Sequence, residues 1–322
     1  MQVVWEQELR SVVSLTPAIL AVIEDGFTRL SRGEVQTPPI MRLEFPEHNG
    51  EVDVKAARVD GLNQFAIKMS SGFFDNPLKG LRSGSGLMVV LSAVTGYPEA
   101  LLMDNGYLTD VRTAAAGAVA AQYLANDAID TVGIIGSGSQ ARWQLEGLRL
   151  VRKFRRVMVY SVHGVNAEAL VREVRDKFGL RAEVAPSPEV LVRQSDIVVT
   201  CTPATQPVIR AEWLHPGLHI TAMGSDAEFK QELDPKILRL ADKVCCDLTS
   251  QCLRLGELHH AMDSRDLETD GTVIELGDLT SRKVLGRTHR DHVTVCDLTG
   301  TGVQDTMIAV YAFKRVMEQR GA

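Results

Sequence analysis

Hydrophobic and polar positions recur at two different spacings along the chain, and the change of spacing divides it into regions. In residues 17–31 the apolar side chains lie three and four positions apart, which predicts an amphipathic helix with Thr16 as its N-cap and Gly33 beyond its end. Residues 40–103 instead contain short strand-like runs separated by Gly, Pro, Asn and Asp. This pattern predicts one compact, largely antiparallel β unit.

The rest of the chain has a different rhythm. Residues 108–124 are rich in Ala and predict a long helix whose small side chains let another element pack closely. After Asn126 the strand-like runs TVGIIG, RVMVYS, DIVVTCT and HITAMG alternate with helical segments at 140–151 and 166–178. Such alternation predicts an α/β fold with a doubly wound parallel sheet. A final helix is predicted over 303–319.

Composition narrows the class of protein without naming a reaction. The 322 residues are enough for two domains, and 45% hydrophobic with 24% charged residues is ordinary for a globular protein. The 35 basic and 41 acidic residues give a formal charge of −6, which argues against a nucleic-acid or anionic-membrane partner. The first residues lack a signal or transit pattern, and polar residues interrupt the longest apolar stretch, 86–102, so we expect a soluble, cytoplasmic protein. Five cysteines without disulfide-scaffold spacing predict reduced structural thiols.

The stretch GSGSQA has the form of a dinucleotide-binding turn. Gly136 permits the tight turn, Gly138 lets the backbone approach a pyrophosphate, and Ala141 allows close helix packing. The helix that starts near Gln140 offers free N–H groups to phosphates. The alternative is a tight strand-to-helix turn that binds nothing. Residues 161–164 contain neither a clear acid nor an Arg pair, so the predicted cofactor is NAD or NADP, with NAD favoured.

Three basic residues occupy positions where a solvated face would not obviously put them: Arg42, Lys68 and Arg112. Buried charges cost several kcal/mol unless they are paired, so each of the three is expected to have a carboxylate partner from the protein or from a ligand. Internal salt bridges with Glu44 or Asp110 are the alternative to ligand binding.

Asp226 follows a predicted strand end and a Gly-Ser turn, which is where open α/β sheets place ligand chemistry. A carboxylate at this position can exchange a proton with a substrate nitrogen while hydride moves to or from a nicotinamide. The alternative is an Asp that caps its own turn. No metal site is predicted, because His259 and His260 near Cys252 lack a credible four-ligand spacing.

Seven motifs, in order along almost the whole chain, resemble those of the ornithine cyclodeaminase/μ-crystallin family. They are PPIMR, FAIK, LTDVRTAAAG, GSGSQAR, HPGLHITAMGSD, KQELD and CDLTGTGVQD. The resemblance is closer still to the ectoine-utilisation cyclodeaminase-like branch, which has stretches similar to HNGEVDVK and GFFDNP. It implies a Rossmann doubly wound domain at 127–299, inserted into a mixed α+β substrate-binding and dimerisation domain at 1–126 and 300–322, and hence a homodimer.

The resemblance also implies roles for individual residues. Arg42, Lys68 and Arg112 are implied to hold the α-carboxylate of an amino or imino acid, and Asp226 and Lys68 to be catalytic, with Asp226 as the acid/base. The residues implied to lie around the cofactor are Ser83, Thr113, Gly136, Gly138, Ser139, Gln140, Ala141, Thr202, Ala222, Met223, Gly224, Ser225, Leu298 and Thr299.

One position departs from the family pattern. Members that act on ornithine carry a Glu that receives the distal ammonium, and its counterpart in this chain is Lys55. Because a lysine repels a diamine, we expect Lys55 to contact a substrate whose far end is neutral or anionic, as in a dicarboxylate imine or an N-acylated diamino acid. The competing interpretation is that Glu51, Asp53 and Lys55 share one strand face and neutralise one another.

Three functions are compatible with these features. An imine reductase or amino-acid dehydrogenase releases its product directly, and Lys55 favours this outcome, with ectoine or hydroxyectoine catabolism as the implied setting. A cyclodeaminase lets a distal amine attack the imine and expels ammonia. A non-enzymatic binder of NADPH and a small ligand, like μ-crystallin, is the third alternative.

Overall fold

The computed structural model describes residues 1–266 and 273–321, and its contacts divide the chain into two compact units. The first unit comprises Met1–Arg112 together with Thr301–Ala322, and the second comprises Thr113–Gly300. Both ends of the chain therefore belong to the first unit, and the second unit is inserted between them.

The described residues form the following strands and helices, apart from short 3₁₀ turns. The strands are β1 Gln2–Trp5, β2 Val35–Gln36, β3 Met41–Phe45, β4 Gly50–Val59, β5 Gln64–Phe73, β6 Gly84–Ser92, β7 Pro98–Met103, β8 Thr131–Ile135, β9 Arg156–Tyr160, β10 Arg181–Val184, β11 Ile197–Thr200, β12 Thr205–Ile209, β13 His219–Ala222, β14 Gln231–Leu233, β15 Lys243–Cys246, β16 Val273–Glu275 and β17 Thr294–Asp297. The helices are α1 Glu6–Val12, α2 Pro17–Ser31, α3 Tyr107–Leu124, α4 Ser139–Val151, α5 Gly164–Phe178, α6 Pro188–Arg193, α7 Lys236–Leu240, α8 Thr249–Cys252, α9 Gly256–Asp263, α10 Leu276–Thr280 and α11 Gly302–Arg320.

A seven-stranded sheet is the centre of the first unit. Its strand order is β1-β7-β6-β5-β4-β2, with β3 also paired to β4, and every pairing is antiparallel except that of β1 with β7. The predicted antiparallel unit is therefore confirmed. Helix α11 packs on β4 and β5, and Gly302 is required there because a Cβ would lie 2.2 Å from the carbonyl oxygen of Ala56. This close approach places the first turn of α11 directly against β4.

Helix α2 has the predicted bounds and buries Ile19, Ile23 and Phe27. Thr16 occupies the N-cap position, but its side chain makes no capping hydrogen bond. Strand β1 and helix α1 were not predicted, because both are too short to show a clear period. In the part of the chain that the structure describes, no single helix has the length and hydropathy to cross a membrane, and α1 with α2 passes that test only as a pair bent by 98°.

The face of this sheet opposite α11 is apolar and largely open. The strand register places Met41, Val54, Met69 and Leu87 in one row across four neighbouring strands. Met41 and Met69 are 56% and 38% exposed, and Leu43 on the same face is 51% exposed. A contiguous apolar surface of this kind is typical of a protein–protein interface.

The second unit contains an eight-stranded sheet in which every pairing is parallel. Its order is β10-β9-β8-β11-β13-β17-β15-β16. The chain runs outward from β8 in one direction and continues from β11 in the other, so the order reverses between these two strands. Doubly wound sheets bind ligands at this reversal, beyond the carboxyl ends of the strands. The predicted Rossmann-type α/β fold is confirmed.

Helix α3 starts in the first unit and ends in the second, so the division between the units falls inside it and not after residue 126. Its later residues pack closely on α4: a Cβ on Gly147 would lie 2.7 Å from the carbonyl oxygen of Ala114, and one on Gly117 would lie 2.1 Å from Oε1 of Gln144. The Ala-rich sequence permits this approach, as predicted. The pattern of small residues does not show which unit each turn of the helix contacts, and the boundary was therefore placed too late.

Candidate active site

The buried face of β4 in the first unit is charged where a core would be apolar. Buried and half-buried residues alternate along this strand, as the two-residue period of a strand requires. Glu51, Asp53 and Lys55 fall on the buried side at 8%, 5% and 5% exposure, and Ala57 and Val59 continue the same side. The prediction that the three charged residues share one face is confirmed.

Arg42 pairs with Asp53 across this face. The two residues are register partners on β3 and β4, and the guanidinium donates from Nε and Nη2 to the two carboxylate oxygens at 2.7 and 2.8 Å. Nζ of Lys55 lies 3.8 Å from Oδ2 of the same Asp53. The alternative pairing of Arg42 with Glu44 is wrong, because directly opposed residues on neighbouring strands lie closer than residues two apart on one strand.

Lys68 and Arg112 share a single carboxylate, that of Asp305. Nζ of Lys68 lies 3.0 Å from Oδ2 of Asp305, and Nε of Arg112 lies 2.9 Å from Oδ1. The exposures of the three side chains are 1%, 6% and 0%. The alternative pairing of Arg112 with Asp110 is wrong, because Asp110 pairs instead with Arg82 at 3.0 Å.

Asp305 was not predicted to be a site residue, although it lies in the CDLTGTGVQD motif. Asp305 is in the first turn of α11, where Gln304 accepts a hydrogen bond from Nη1 of Arg112 at 3.1 Å. A carboxylate just after a glycine-rich turn is typical of the acidic residues that occur in the first turn of many helices. The signal that could have identified it was the need for a partner to the two buried cations.

Positive charge is concentrated around Asp305. Lys55 and Lys68 are directly opposed on β4 and β5, an arrangement that is unfavourable for like charges. Burial, together with the charge of Arg112, lowers the pKa of Lys68 to about 7. Although burial acts to raise it, the pKa of Asp305 is held below its usual value by Arg112, Lys68 and Lys55. Burial raises the pKa of nearby Asp104 to about 6. Several cations around one carboxylate form an environment suited to a second carboxylate, supplied by a ligand.

The glycine turn of the second unit connects β8 to α4. Gly136 has φ of +118°, and a Cβ on it would lie 2.8 Å from the carbonyl oxygen of Cys201. The fold itself therefore demands this glycine. Ala141 is fully buried in the core between the sheet and α4, as expected for the third position.

Gly138 is different, because the fold does not need a glycine there. Its φ is −77°, which any residue adopts, and no atom lies within 4 Å of an added Cβ. It is followed at once by Ser139 and Gln140 in the first turn of the 13-residue helix α4. A missing side chain with open space in front of a helix N-terminus fits the close approach of a dinucleotide pyrophosphate.

The predicted cofactor residues after β11, β13 and β17 lie together in the second unit. These strands are neighbours in the sheet, and their carboxyl ends carry Thr202, Ala222, Met223, Gly224, Ser225, Leu298 and Thr299. The amide of Leu298 donates to the carbonyl oxygen of Ala222 at 2.9 Å. Thr113 is also in this unit, where its carbonyl oxygen accepts from Nε2 of Gln144 at 3.1 Å. Ser83 is in the first unit, just before β6, where its carbonyl oxygen accepts from the amide of Phe73 at 2.8 Å.

Glu232 is a second functional candidate that the sequence analysis missed. Its buried carboxylate accepts hydrogen bonds from the amide and hydroxyl of Thr202, both at 2.7 Å, from the hydroxyl of Thr200 at 2.7 Å and from the amide of Gly224 at 2.8 Å. Burial raises its pKa despite these donors. Glu232 thus joins the loops after β11 and β13, which carry predicted cofactor residues. Its motif, KQELD, gave no hint that the Glu points inward.

Asp226 lies in the loop after β13. Its Oδ1 accepts from Nζ of Lys230 at 2.8 Å, and its side chain keeps 34% of its surface exposed. A partly exposed carboxylate at the carboxyl edge of the sheet can exchange a proton with a ligand. The loop at the end of β9 carries no carboxylate: Ser161 accepts from the hydroxyl of Ser137 at 2.9 Å, and His163 is exposed.

The cysteines form no disulfide in the structure. All five are free, and burial raises the pKa of the thiols of Cys245, Cys252 and Cys296. In residues 1–266 and 273–321, no three His, Cys, Asp or Glu side chains are arranged to hold a metal ion.

The chain resembles known proteins over nearly its whole length. A model of the ornithine cyclodeaminase/mu-crystallin family matches residues 2–320. A Rhizobium meliloti protein named provisionally as a dehydrogenase is 49% identical over 315 residues, which cover 98% of this chain and 95% of that protein. An uncharacterised cyclodeaminase of Sinorhizobium fredii is 48% identical over 320 residues, which cover 99% and 97%.

Solved structures also match this chain over nearly its whole length. The Δ1-pyrroline-2-carboxylate reductase of Thermococcus litoralis, in complex with NADH and L-proline, superimposes with a TM-score of 0.94 at 27% identity and covers 99% of this chain and 98% of its own. An archaeal alanine dehydrogenase dimer with bound NAD gives 0.91 at 32% identity, covering 99% and 97%. The iminosuccinate reductase of Paracoccus denitrificans, in complex with NAD⁺, gives 0.89 at 27% identity, covering 100% and 97%.

Proposed function

The chain belongs to the ornithine cyclodeaminase/μ-crystallin family, and we propose that it is an NAD-dependent imine reductase or amino-acid dehydrogenase. It is an enzyme, since its named relatives are nicotinamide-dependent reductases, dehydrogenases and cyclodeaminases. Its substrate is an α-imino or α-amino acid. The observation that carries the proposal is the buried Lys68–Asp305–Arg112 cluster, which concentrates positive charge where a substrate carboxylate can bind.

The first unit supplies carboxylate binding. Arg112 and Lys68 are oriented by Asp305, and Arg42 is oriented by Asp53, so none of these long side chains has to be ordered when the substrate arrives. Preorganised donors lower the entropic cost of binding and fix the substrate's orientation. Lys68 also has a pKa near neutrality, which allows it to take part in proton transfer as well as in binding.

The second unit supplies cofactor binding and the proton. Gly138, Ser139 and Gln140 would hold the pyrophosphate, and Thr202 with the strand ends after β13 and β17 would hold the rest of the dinucleotide. NADH, when bound, supplies the hydride that converts the imine carbon into the α-carbon of an amine. Asp226 manages the proton on the substrate nitrogen.

Lys55 sets the class of substrate within this proposal. It lies on the same buried face as the carboxylate-binding residues and directly opposite Lys68, so a distal ammonium would meet a like charge. Asp53 offsets part of that charge at 3.8 Å, but Asp53 is also bound by Arg42. We therefore favour a substrate with a neutral or anionic far end, such as a dicarboxylate imine or an N-acylated diamino acid of the kind that ectoine breakdown would provide.

The substitution Lys55→Glu tests this choice of substrate. It should lower kcat/KM for an acidic or acylated substrate by about tenfold or more and raise it for ornithine, since a contact with a like charge replaces one with an opposite charge. Lys79→Glu, at an exposed position of the same unit, makes the same charge change and should leave both values unaltered. No gain for diamines and no loss for the acidic substrate would contradict the role of Lys55.

The activity itself is tested by NADH and NADPH oxidation with imines generated in situ. The panel contains pyrroline carboxylate, iminosuccinate and the imine of N-acetyl-diaminobutyrate. Oxidation with an acidic or acylated imine is the expected result. If every imine is inert and ornithine yields ammonia and proline with catalytic NAD, the protein is a cyclodeaminase, the alternative that the name of its Sinorhizobium fredii relative favours.

The protein is also proposed to act as a homodimer. The apolar sheet face that contains Met41, Leu43 and Met69 would be covered by a second copy, as the dimeric alanine dehydrogenase suggests. Light scattering should give twice the chain mass for the wild type and the chain mass for Leu43→Glu. Leu240→Glu, at an equally exposed apolar position of the second unit, should stay dimeric. A monomeric wild type would overturn the proposal.

A further inference from the structure

A tightly closed loop carries Asp226. It runs from Met223 to Lys230, between the end of β13 and strand β14. The amide of Gly224 donates to Oε2 of Glu232 at 2.8 Å, and the hydroxyl of buried Ser225 donates to the carbonyl oxygen of Lys230. These bonds join the start of the loop to its end and to β14, so Asp226, which directly follows Ser225, is restricted to few positions.

Lys230 is the buried cation of this loop. It is 4% exposed, and its Nζ donates to Oδ1 of Asp226 at 2.8 Å. Nε2 of His260, in α9, lies 2.7 Å from the carbonyl oxygen of Lys230, so the imidazole tautomer that carries its proton on Nε2 donates this bond. Burying an ammonium is costly unless a partner compensates it. The side chains of Ser225 and His260 therefore hold the backbone of Lys230 at its carbonyl oxygen, and its ammonium lies within hydrogen-bond distance of the partly exposed carboxylate.

Among the described residues, carboxyl groups also lie at this loop. Glu257 of α9 accepts from the amides of Glu232 and Leu233 at 2.7 and 3.0 Å, and burial raises the pKa of both Glu257 and Glu232. Glu228, on the loop itself, is exposed to solvent. Negative charge near Asp226 would favour its protonated form. The ammonium of Lys230, 2.8 Å from Oδ1 of Asp226, acts in the opposite direction.

We propose that Lys230 is a positioning residue that keeps Asp226 ionised and oriented for proton transfer. The inference rests on the proposed role of Asp226 as the acid/base. In the oxidative direction, the ammonium group of the amino acid gives its proton to Asp226, and the free amine then loses hydride from its α-carbon to NAD⁺ and becomes an iminium. In reduction these steps are reversed: hydride adds to the iminium carbon while Asp226 is protonated, the C=N π electrons become the nitrogen lone pair, and that lone pair takes the proton from Asp226, which becomes a carboxylate again.

The decisive variants are Lys230→Met, which removes the charge at similar length, and Lys230→Arg, which keeps it. For Lys230→Met, the acidic limb of the kcat/KM profile for amino-acid oxidation should move to higher pH by about one unit or more. The reason is that the lysine charge, which favours the ionised carboxylate at this distance, is absent in the variant. At neutral pH kcat should fall about tenfold or more, as expected when the pKa of a general acid–base no longer matches the working pH. KM for NADH should not change, and Lys230→Arg should restore most of the loss.

A matched control is Lys283→Met. Lys283 pairs with Asp278 at 3.7 Å in the same unit but is about half exposed, so its loss should leave the profile in place. If Lys230→Met gives the wild-type profile, or if NADH binding falls in parallel with kcat, Lys230 is only a structural residue and the proposal is overturned.

A second measurement does not depend on turnover. Infrared difference spectra against Asp226→Asn report the protonation of the Asp226 carboxyl as pH is lowered. Its midpoint should lie at higher pH in Lys230→Met than in the wild type, and an unchanged midpoint would contradict the proposal. A wild type that turns over no imine or amino acid would instead refute the proposed function, and the infrared result would still decide the role of Lys230.

Discussion

The candidate sites of the two units are built by opposite means. In the second unit, six consecutive residues form a turn whose backbone is proposed to approach the ligand, and Gly138 leaves open space there by having no side chain. In the first unit, charged side chains from β3, β4, β5 and α3 converge on carboxylates, one of them from α11 at the other end of the chain. The first kind of site depends on local geometry, and the second on compensation of buried charge. Different substitutions should therefore disable them, and by different amounts.

The largest effect is expected in the first unit, for Asp305→Asn. This change leaves Lys68 and Arg112 buried without their shared carboxylate, and breaking a buried ion pair by removing one partner costs about 3–5 kcal/mol. Urea unfolding should show this loss. Asp110→Asn removes the carboxylate from a pair whose arginine is 42% exposed and should cost less than about 1 kcal/mol. Equal losses in the two variants would show that burial does not govern the cluster.

The second unit should respond differently to a matched pair of glycine substitutions. Gly136→Ala places a Cβ at φ +118° and 2.8 Å from a backbone oxygen, so it should cost about 1–3 kcal/mol of stability. Gly138→Ala meets no atom and should change stability by less than about 1 kcal/mol. It should nevertheless raise the Kd for NADH by about tenfold, or 1.4 kcal/mol. Fluorescence titration measures that Kd, and unimpaired binding by Gly138→Ala would remove the turn from the cofactor site.

This contrast also explains what the sequence could reveal. The turn around Gly136 and the strand–helix rhythm were predicted because each is encoded within a few consecutive residues. The buried positions of Lys68 and Arg112 and the partly buried position of Arg42 followed from local pattern as well. Their partners Asp53 and Asp305 did not follow, because strand register and the docking of α11 bring them there from distant parts of the chain. Glu232 was missed for the same reason, since an inward-facing Glu on a three-residue strand has no local signature.

A pH series should sharpen the contrast, because Lys68 titrates near neutrality in the first unit. Burial and the charges of Arg112 and Lys55 lower its pKa to about 7, whereas Asp305 acts to raise it. Above that pH the ammonium that binds the substrate carboxylate is lost, so KM for the substrate should rise by up to about tenfold per pH unit. KM for NADH should not follow it.

The free energy of unfolding should increase with pH over the same range, although substrate binding weakens. The folded pKa of Lys68 lies below its unfolded value of 10.5, so between about pH 7 and 10.5 the unfolded chain binds more protons. The contribution of this group to the free energy of unfolding therefore increases with pH and is lost again as pH falls through 7. Lys68→Met should abolish both trends. A free energy of unfolding that falls while KM for the substrate rises would show that another group is responsible.

The smallest effect is expected at the end of β9 in the second unit. Related dinucleotide-binding folds contact the adenosine ribose at this position. Ser161 stands where NAD-specific sheets carry an acid, and residues 161–164 offer no carboxylate to repel a 2′-phosphate. Ser161→Asp should lower kcat/KM for NADPH relative to NADH by about fivefold, on the order of 1 kcal/mol. Ser161→Asn, which is similar in size but neutral, should leave the ratio near its wild-type value. Ser161→Asp adds a charge to a cofactor site that is otherwise proposed to bind through its backbone. If this change alters cofactor preference by as much as Gly138→Ala alters the Kd for NADH, side-chain charge matters in the second unit as much as it does in the first.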